Sequence, residues 1–180
     1  FLYVIPNFQN PTGRTLSLAR RQHLVDIANR HDLLIIEDDP YGRLRYRGEH
    51  LPPLKSFDTE DRVIYLSTFS KLLAPGLRLA WVIAPPEVIK KLVMTKQAAD
   101  LHTSSFNQYV AYEVAKGGFL DEHVKTIRAT YKERRDVMLE MMDEISASGP
   151  LSASPTCQRA APGIRHSSAS RTSRRTTTIS

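Results

Sequence analysis

The stretch Leu33-Leu-Ile-Ile36, followed by Glu37-Asp-Asp-Pro-Tyr41, decides the fold class of this chain. Its apolar residues are continuous and do not alternate with polar ones, which is typical of a strand covered on both faces, as in a parallel sheet. Upstream, a short β-rich run covers Phe1 to Ile5, and Ser17 can cap a helix that ends near His31. A strand, a helix and a second strand in succession indicate an α/β sheet.

The alternation continues downstream. The sequence predicts a third strand over Val63 to Leu66 and, after Pro75-Gly76, a fourth over Leu77 to Ala84. Three helical patterns follow. The first begins at Pro85, the second covers Phe106 to Lys116, and the third extends from about Leu120 to Ile145. We therefore expect a mostly parallel sheet whose chemistry lies at the ends of its strands.

Composition excludes several classes of protein. The chain has 180 residues, 41% of them hydrophobic and 24% charged, which suits one globular domain. No apolar run approaches the roughly 18 residues of a membrane span. A single cysteine, Cys157, supports neither a disulfide framework nor a cysteine-based zinc site, and the six histidines show no metal-binding spacing. We expect a cytoplasmic protein without a metal.

The positive charge is concentrated near the end of the chain. The net charge is +6, and residues 146–180 contain five arginines and no acidic residue. Because the first 145 residues are nearly neutral, we discount nucleic acid as a partner of the folded body. The same segment has 14 serines and threonines and no aromatic residue, so we expect a low-complexity, disordered tail. A basic arm that binds nucleic acid or another partner is the alternative.

Polar residues gather where the predicted strands end. In an open α/β sheet this rim is where ligands bind. The set combines a carboxylate, an amine, a guanidinium and several hydroxyl or amide groups, which suits a charged, aromatic and phosphorylated ligand. Its members are Asn10, Asp38, Tyr41, Thr68, Ser70, Lys71 and Arg78.

These residues lie in motifs that resemble those of a known family. The motifs are Asn10-Pro-Thr-Gly13, Glu37-Asp-Asp-Pro-Tyr41, Thr68-Phe-Ser-Lys71 and Pro75-Gly-Leu-Arg78. In this order they resemble the fold type I aminotransferases, which use pyridoxal 5'-phosphate. The resemblance is strongest to the class I/II branch with 2-aminoadipate and aromatic aminotransferases and the aminotransferase-like half of MocR-type regulators. It covers roughly residues 1–145 and implies an aspartate aminotransferase-like fold.

The resemblance also implies the catalytic roles of two residues. Lys71 would form the internal aldimine with the cofactor aldehyde and then carry a proton between the substrate Cα and the cofactor C4'. Because that chemistry requires an amine that can be neutral, the pKa of Lys71 must fall below the ordinary value of about 10.4, and burial and nearby cations would lower it. Asp38, three residues before Tyr41, would pair with the protonated pyridine nitrogen and keep the ring an effective electron sink.

The remaining site residues would hold the cofactor. By resemblance, Tyr41 and Asn10 hydrogen-bond its 3'-oxygen. Arg78 would bind the phosphate together with the hydroxyls of Thr68 and Ser70, because a guanidinium offers paired donors to anionic oxygens. The anchored phosphate would then fix the position of C4' relative to Lys71.

The expected organisation is a fragment. The chain begins at Phe1 inside an apolar run. We predict a partial cofactor-binding large domain over residues 1–118, a long helix over 119–145 leading toward a small domain, and an off-family tail over 146–180. A frameshift or an aberrant gene end would explain the tail.

The function implied by the resemblance is the transfer of an amino group from an α-amino acid to a 2-oxo acid, in a parent protein that is a homodimer. Three alternatives stay open: a pyridoxal-phosphate-dependent lyase or decarboxylase of the same fold, the ligand-sensing domain of a MocR-type regulator, and an inactive gene remnant. Whether this short chain folds or is active by itself is also open.

Overall fold

The computed structural model describes residues 1–147. The predicted disordered tail, residues 146–180, lies outside the described residues from position 148 onward. Within residues 1–147 the sheet has the strand order β1-β2-β3-β4, one α-helix connects its first two strands, and three α-helices follow its last strand. Its elements are β1 (Leu2–Val4), α1 (Leu18–Arg30), β2 (Ile35–Asp38), β3 (Val63–Thr68), β4 (Ala80–Ile83), α2 (Pro86–Ala99), α3 (Ser105–Lys116) and α4 (Phe119–Ala147).

Helix α1 begins and ends where the sequence predicts. The side chain of Ser17 accepts a hydrogen bond from the Arg20 amide at 3.4 Å, which satisfies one of the free amides of the first turn. His31 is the C-cap residue. The apolar face of α1 packs on the sheet, and the buried core that joins them consists of Val25, Ala28, Ile35, Leu54 and Val63.

Strand β2 begins two residues later than the apolar run that predicts it. The amide of Leu33 donates to the carbonyl of Ala28 at 3.0 Å and so still belongs to the end of α1. Asp32, just before it, has the left-handed φ of 53° that reverses the chain. Regular pairing starts at Ile35, whose amide donates to Arg62, and β2 runs parallel to both β1 and β3.

Strand β4 is antiparallel to β3, so the sheet is mixed. The segment between them holds only turns and the 3₁₀ helix Pro75–Leu77, and β4 therefore begins at Ala80 and not at the predicted Leu77. Without a crossover helix the chain reverses at the end of β3. Thr68 pairs with Ala80, and the amino end of β4 meets the carboxyl ends of the other strands.

A second core attaches α4 to the loops at this edge of the sheet. It consists of Leu44 and Leu72 from the loops and Leu120 and Val124 from the first turns of α4. The long helical pattern predicted from about Leu120 to Ile145 is thus confirmed as a single helix. Among residues 1–147, no helix has the length and apolar character to cross a membrane.

Candidate active site

The sheet topology brings the predicted site residues to one edge. The loop with Asn10 follows β1, Asp38 ends β2, and Thr68 ends β3. These three strands are parallel, so their carboxyl ends share an edge. Arg78 precedes the antiparallel β4 and reaches the same edge from the opposite chain direction.

Four of the predicted residues line one cavity. A cavity of about 840 Å³ is bordered by Asn10, Tyr41, Ser70 and Lys71. Its wall also includes side chains that the motifs did not identify: Phe8, Leu44, Tyr46, Ile127 and Tyr131. The structure therefore brings an amine, an amide, a phenol and a hydroxyl together beside aromatic rings. The lining does not include the other predicted residues, Asp38, Thr68 and Arg78.

Burial, one of the two effects expected to act on Lys71, is absent in the described structure. Lys71 is exposed, whereas the next residue, Leu72, is only 2% exposed and packs in the second core. Lys71 and Leu72 are adjacent in the tight turn after β3. Because the side chain of Leu72 points into the core, the side chain of Lys71 points toward the surface. The Lys71 amine has no hydrogen-bond or ion-pair partner within residues 1–147, so it is available to a ligand in the cavity.

Asn10 and Tyr41 also present unused polar groups. The backbone carbonyl of Asn10 accepts a hydrogen bond from the Gln9 side chain at 2.6 Å, but the side-chain amide of Asn10 has no hydrogen-bond partner in the described part of the chain. The Tyr41 hydroxyl also has no hydrogen-bond partner within residues 1–147. Groups of this kind beside a free amine suit a ligand with its own donors and acceptors.

The three acids of Glu37-Asp38-Asp39 have different surroundings. Glu37 is fully buried and accepts hydrogen bonds from the amides of Leu54 at 2.7 Å and Lys55 at 2.9 Å. Asp39 accepts hydrogen bonds at 2.9 Å from the Asn7 side chain and from the amide of the glycine after Tyr41. These two acids hold loops in place, whereas within residues 1–147 the Asp38 side chain accepts a hydrogen bond only from the Tyr3 hydroxyl.

The predicted phosphate-binding residues are only partly free. The Thr68 hydroxyl donates to the Leu79 carbonyl at 2.8 Å and accepts from the Ser70 amide at 3.1 Å, so it ties the end of β3 to the start of β4. The Ser70 hydroxyl lies 3.0 Å from it. Arg78 is exposed, and among the atoms of its guanidinium only Nη1 has a hydrogen-bond partner in the described part of the chain, the Pro75 carbonyl at 3.3 Å. Arg78 also has a left-handed φ of 54°, which is strained for a residue other than glycine.

Sequence reasoning missed a buried arginine that organises the loops below the site. Arg21 is fully buried, and its guanidinium donates to the carbonyl oxygens of Pro6, Leu16 and Pro52 at 2.9–3.0 Å and to Asn7 Oδ1 at 2.6 Å. Asn7 in turn donates to Asp39. This network joins the loop that carries Asn10 to the loop that carries Tyr41. One signal was present in the sequence, because position 21 is in phase with the apolar face of α1.

Burial of Glu37 has a testable effect on stability. Burial raises the pKa of Glu37 from 4.5 to about 7, against the opposing hydrogen bonds from the Lys55 and Leu54 amides. Between these two pH values the folded chain keeps a proton that the unfolded chain releases. The free energy of unfolding should therefore fall as the pH rises through this window, by on the order of 3 kcal/mol, and level off above it.

Urea denaturation across this pH range measures that slope. In Glu37→Gln the slope should disappear, whatever the absolute stability of the variant. The exposed Glu49→Gln is the matched control and should keep the slope. An unchanged slope in Glu37→Gln would contradict the assignment.

Comparison with known proteins gives the family. Residues 2–171 match the family model of aminotransferase class I and II. The chain is 49% identical over 148 residues to aromatic-amino-acid aminotransferase 1 of Thermococcus litoralis, covering 82% of this chain and 36% of that protein. It is 38% identical over 142 residues to YisV, an uncharacterized HTH-type transcriptional regulator of Bacillus subtilis, covering 79% of this chain and 29% of the regulator.

A solved structure agrees with the sequence relatives. The crystal structure of α-aminoadipate aminotransferase from Thermus thermophilus, complexed with N-(5'-phosphopyridoxyl)-L-leucine, is similar with a TM-score of 0.76 and 43% identity, covering 80% of this chain and 38% of that one. The chain therefore spans little more than a third of the length of these aminotransferases. The predicted resemblance and fold class are confirmed, and the chain belongs to the class I and II aminotransferase family.

Proposed function

We propose that this chain is the cofactor-binding part of a pyridoxal-5'-phosphate-dependent aminotransferase, which transfers an amino group from an α-amino acid to a 2-oxo acid. Residues 1–118 would form part of the large domain, and α4 would lead toward a small domain. The relatives that are named aminotransferases support the reaction class.

One observation carries the proposal. The Lys71 amine, the Asn10 amide and the Tyr41 hydroxyl border the same cavity, and none has a hydrogen-bond partner within residues 1–147. Unpaired polar groups that converge on a cavity are the mark of a ligand site. These donors and acceptors fit pyridoxal 5'-phosphate, which presents an aldehyde, a phenolic oxygen and an anionic phosphate. The phosphopyridoxyl ligand of the Thermus thermophilus relative supports the same group.

Each residue then has a distinct task. When bound, the cofactor supplies an aldehyde that can take up the amino group and a ring that accepts electrons. Lys71 would bind at that aldehyde and, when released, take the proton from the substrate Cα. Asn10 and Tyr41 would orient the ring through its phenolic oxygen. Asp38 would accept a hydrogen bond from the protonated ring nitrogen.

Arg78 would anchor the phosphate. Its guanidinium has most of its donors unused within the described residues, and Ser70 offers a hydroxyl close by in the chain. A bidentate guanidinium contact is well suited to a phosphate. Thr68 would contribute mainly by fixing the turn, since its hydroxyl is already bonded to the Leu79 carbonyl.

A second candidate function rests on the similarity to YisV. In that case the same cofactor site would sense a ligand for a DNA-binding module. The sequence that precedes Phe1 in the gene distinguishes the two, because a helix-turn-helix module there would indicate a regulator. For the enzyme, the proposed partners are the amino acid, the oxo acid and a second copy of the parent protein, in the cytoplasm.

The experiment that tests the proposal is covalent trapping. The 180-residue chain is incubated with pyridoxal 5'-phosphate, reduced with borohydride, digested and analysed by mass spectrometry. We expect a single phosphopyridoxyl group on the peptide that contains Lys71. Modification spread over several exposed lysines, with no preference for Lys71, would refute the site.

A further inference from the structure

Tyr3 and Asp38 meet across the first two strands. Tyr3 on β1 pairs with Ile36 on β2, and Asp38 lies two residues further along β2. Because side chains in a strand alternate between faces, Tyr3 and Asp38 share a face as diagonal neighbours. The Tyr3 hydroxyl donates a hydrogen bond to Asp38 Oδ2.

The contact leaves the carboxylate with one occupied and one free oxygen. Asp38 Oδ2 is bonded to Tyr3, while Oδ1 has no donor within residues 1–147. The hydrogen bond to Asp38 raises the pKa of Tyr3 to about 12, with further contributions from burial and from the charges of Asp38 and Tyr41. The phenol therefore stays protonated at neutral pH, so it is a permanent donor to the acid.

We propose that Tyr3 is a positioning residue that fixes the Asp38 carboxylate and leaves its Oδ1 available to the ring nitrogen of the cofactor. The inference rests on the proposed function. A hydrogen bond from a strand residue restricts rotation of a short acidic side chain. A carboxylate held in place beside the ring nitrogen would stabilise the protonated form of that nitrogen. Tyr3 itself would not contact the cofactor.

The first test needs no cofactor. In the 180-residue chain with ¹³Cζ-labelled tyrosine, the Tyr3 resonance is followed by NMR at about pH 11, between the ordinary tyrosine pKa of 10.0 and the value of about 12 expected for Tyr3. Tyr3 should remain mostly protonated in the parent chain and become mostly ionised in Asp38→Asn. Equal ionisation of Tyr3 in both chains would overturn the contact on which the proposal depends.

The second test observes the cofactor at neutral pH. The chain is loaded with pyridoxal 5'-phosphate that carries ¹⁵N in the ring, and the ring-nitrogen signal is recorded. In Tyr3→Phe the ratio of protonated to unprotonated nitrogen should fall about tenfold, as expected when one hydrogen bond to a charged group is lost. Tyr109→Phe makes the same chemical change at a residue exposed on α3 and should leave the signal unchanged.

Covalent trapping separates the two possible failures. If Tyr3→Phe is trapped at Lys71 like the parent chain but its ring-nitrogen signal does not move, the positioning role is refuted while the proposed function stands. If the parent chain itself cannot be trapped, the proposed function fails, and the role of Tyr3 fails with it.

Discussion

Replacing Lys71 with alanine should abolish covalent attachment of pyridoxal 5'-phosphate. The side-chain amine is the only part of Lys71 that can bond to the cofactor aldehyde, and alanine removes it. Lys71 is exposed and has no partner among residues 1–147, so the free energy of unfolding should change by no more than about 0.5 kcal/mol. The measurement is the phosphopyridoxyl mass increment after borohydride reduction, together with a urea denaturation curve of the same variant.

The matched control is Lys90→Ala. Lys90 is exposed on α2 and paired with Glu87 at 3.1 Å, so its loss removes one lysine without touching the cavity. This variant should be trapped like the parent chain. A phosphopyridoxyl increment that persists undiminished in Lys71→Ala would show that another amine carries the cofactor, and the assignment of the site would then be wrong.

Replacing Arg21 with methionine should have the largest effect on stability. Methionine fills similar space but donates no hydrogen bond. It would leave the carbonyl oxygens of Leu16 and Pro52 without their donor. The Pro6 carbonyl would keep the Leu16 amide at 2.9 Å, and Asn7 Oδ1 would keep the Arg45 guanidinium at 3.4 Å. Each buried polar group left unsatisfied costs about 1–3 kcal/mol. For two such groups we expect a loss of at least about 2 kcal/mol, a large part of the roughly 5–15 kcal/mol that stabilises a domain.

Arg20→Met tests whether the burial of Arg21 is the cause. Arg20 is the adjacent residue of α1, it is exposed, and only its backbone amide takes part in the cap. Its replacement should change the free energy of unfolding by less than about 0.5 kcal/mol. Urea denaturation compares the two variants. Similar, small losses in both would show that the Arg21 network does not hold the loops.

The sequence predicted the fold class because its signals are local. A continuous apolar run, a Ser17 cap and helical periodicity act within a few residues, and α1 and α4 accordingly form where they were expected. Boundaries were less accurate, because they depend on partners. Strand β2 begins only where Arg62 supplies a hydrogen-bond acceptor, and β4 begins only where Thr68 offers a pairing position.

In the candidate site, too, local patterns identified residues, whereas their surroundings depend on distant parts of the chain. The motifs alone indicated Lys71, Tyr41 and Asn10, whose roles remain predictions, because each stands in a short pattern that can be read without coordinates. The environment of Lys71 could not be read in this way. Its exposure follows from the burial of Leu72 against α4, a helix that begins far downstream in the sequence.

By itself, then, the sequence determined which chemical groups are present and the order in which strands and helices carry them. Only the tertiary structure decided which of three consecutive acids is held by backbone amides, which by Asn7 and which by Tyr3. It also decided that Arg21 is buried beneath the loops. The physical reason is that burial and hydrogen-bond partners come from residues distant along the chain, and a local pattern contains no information about their position.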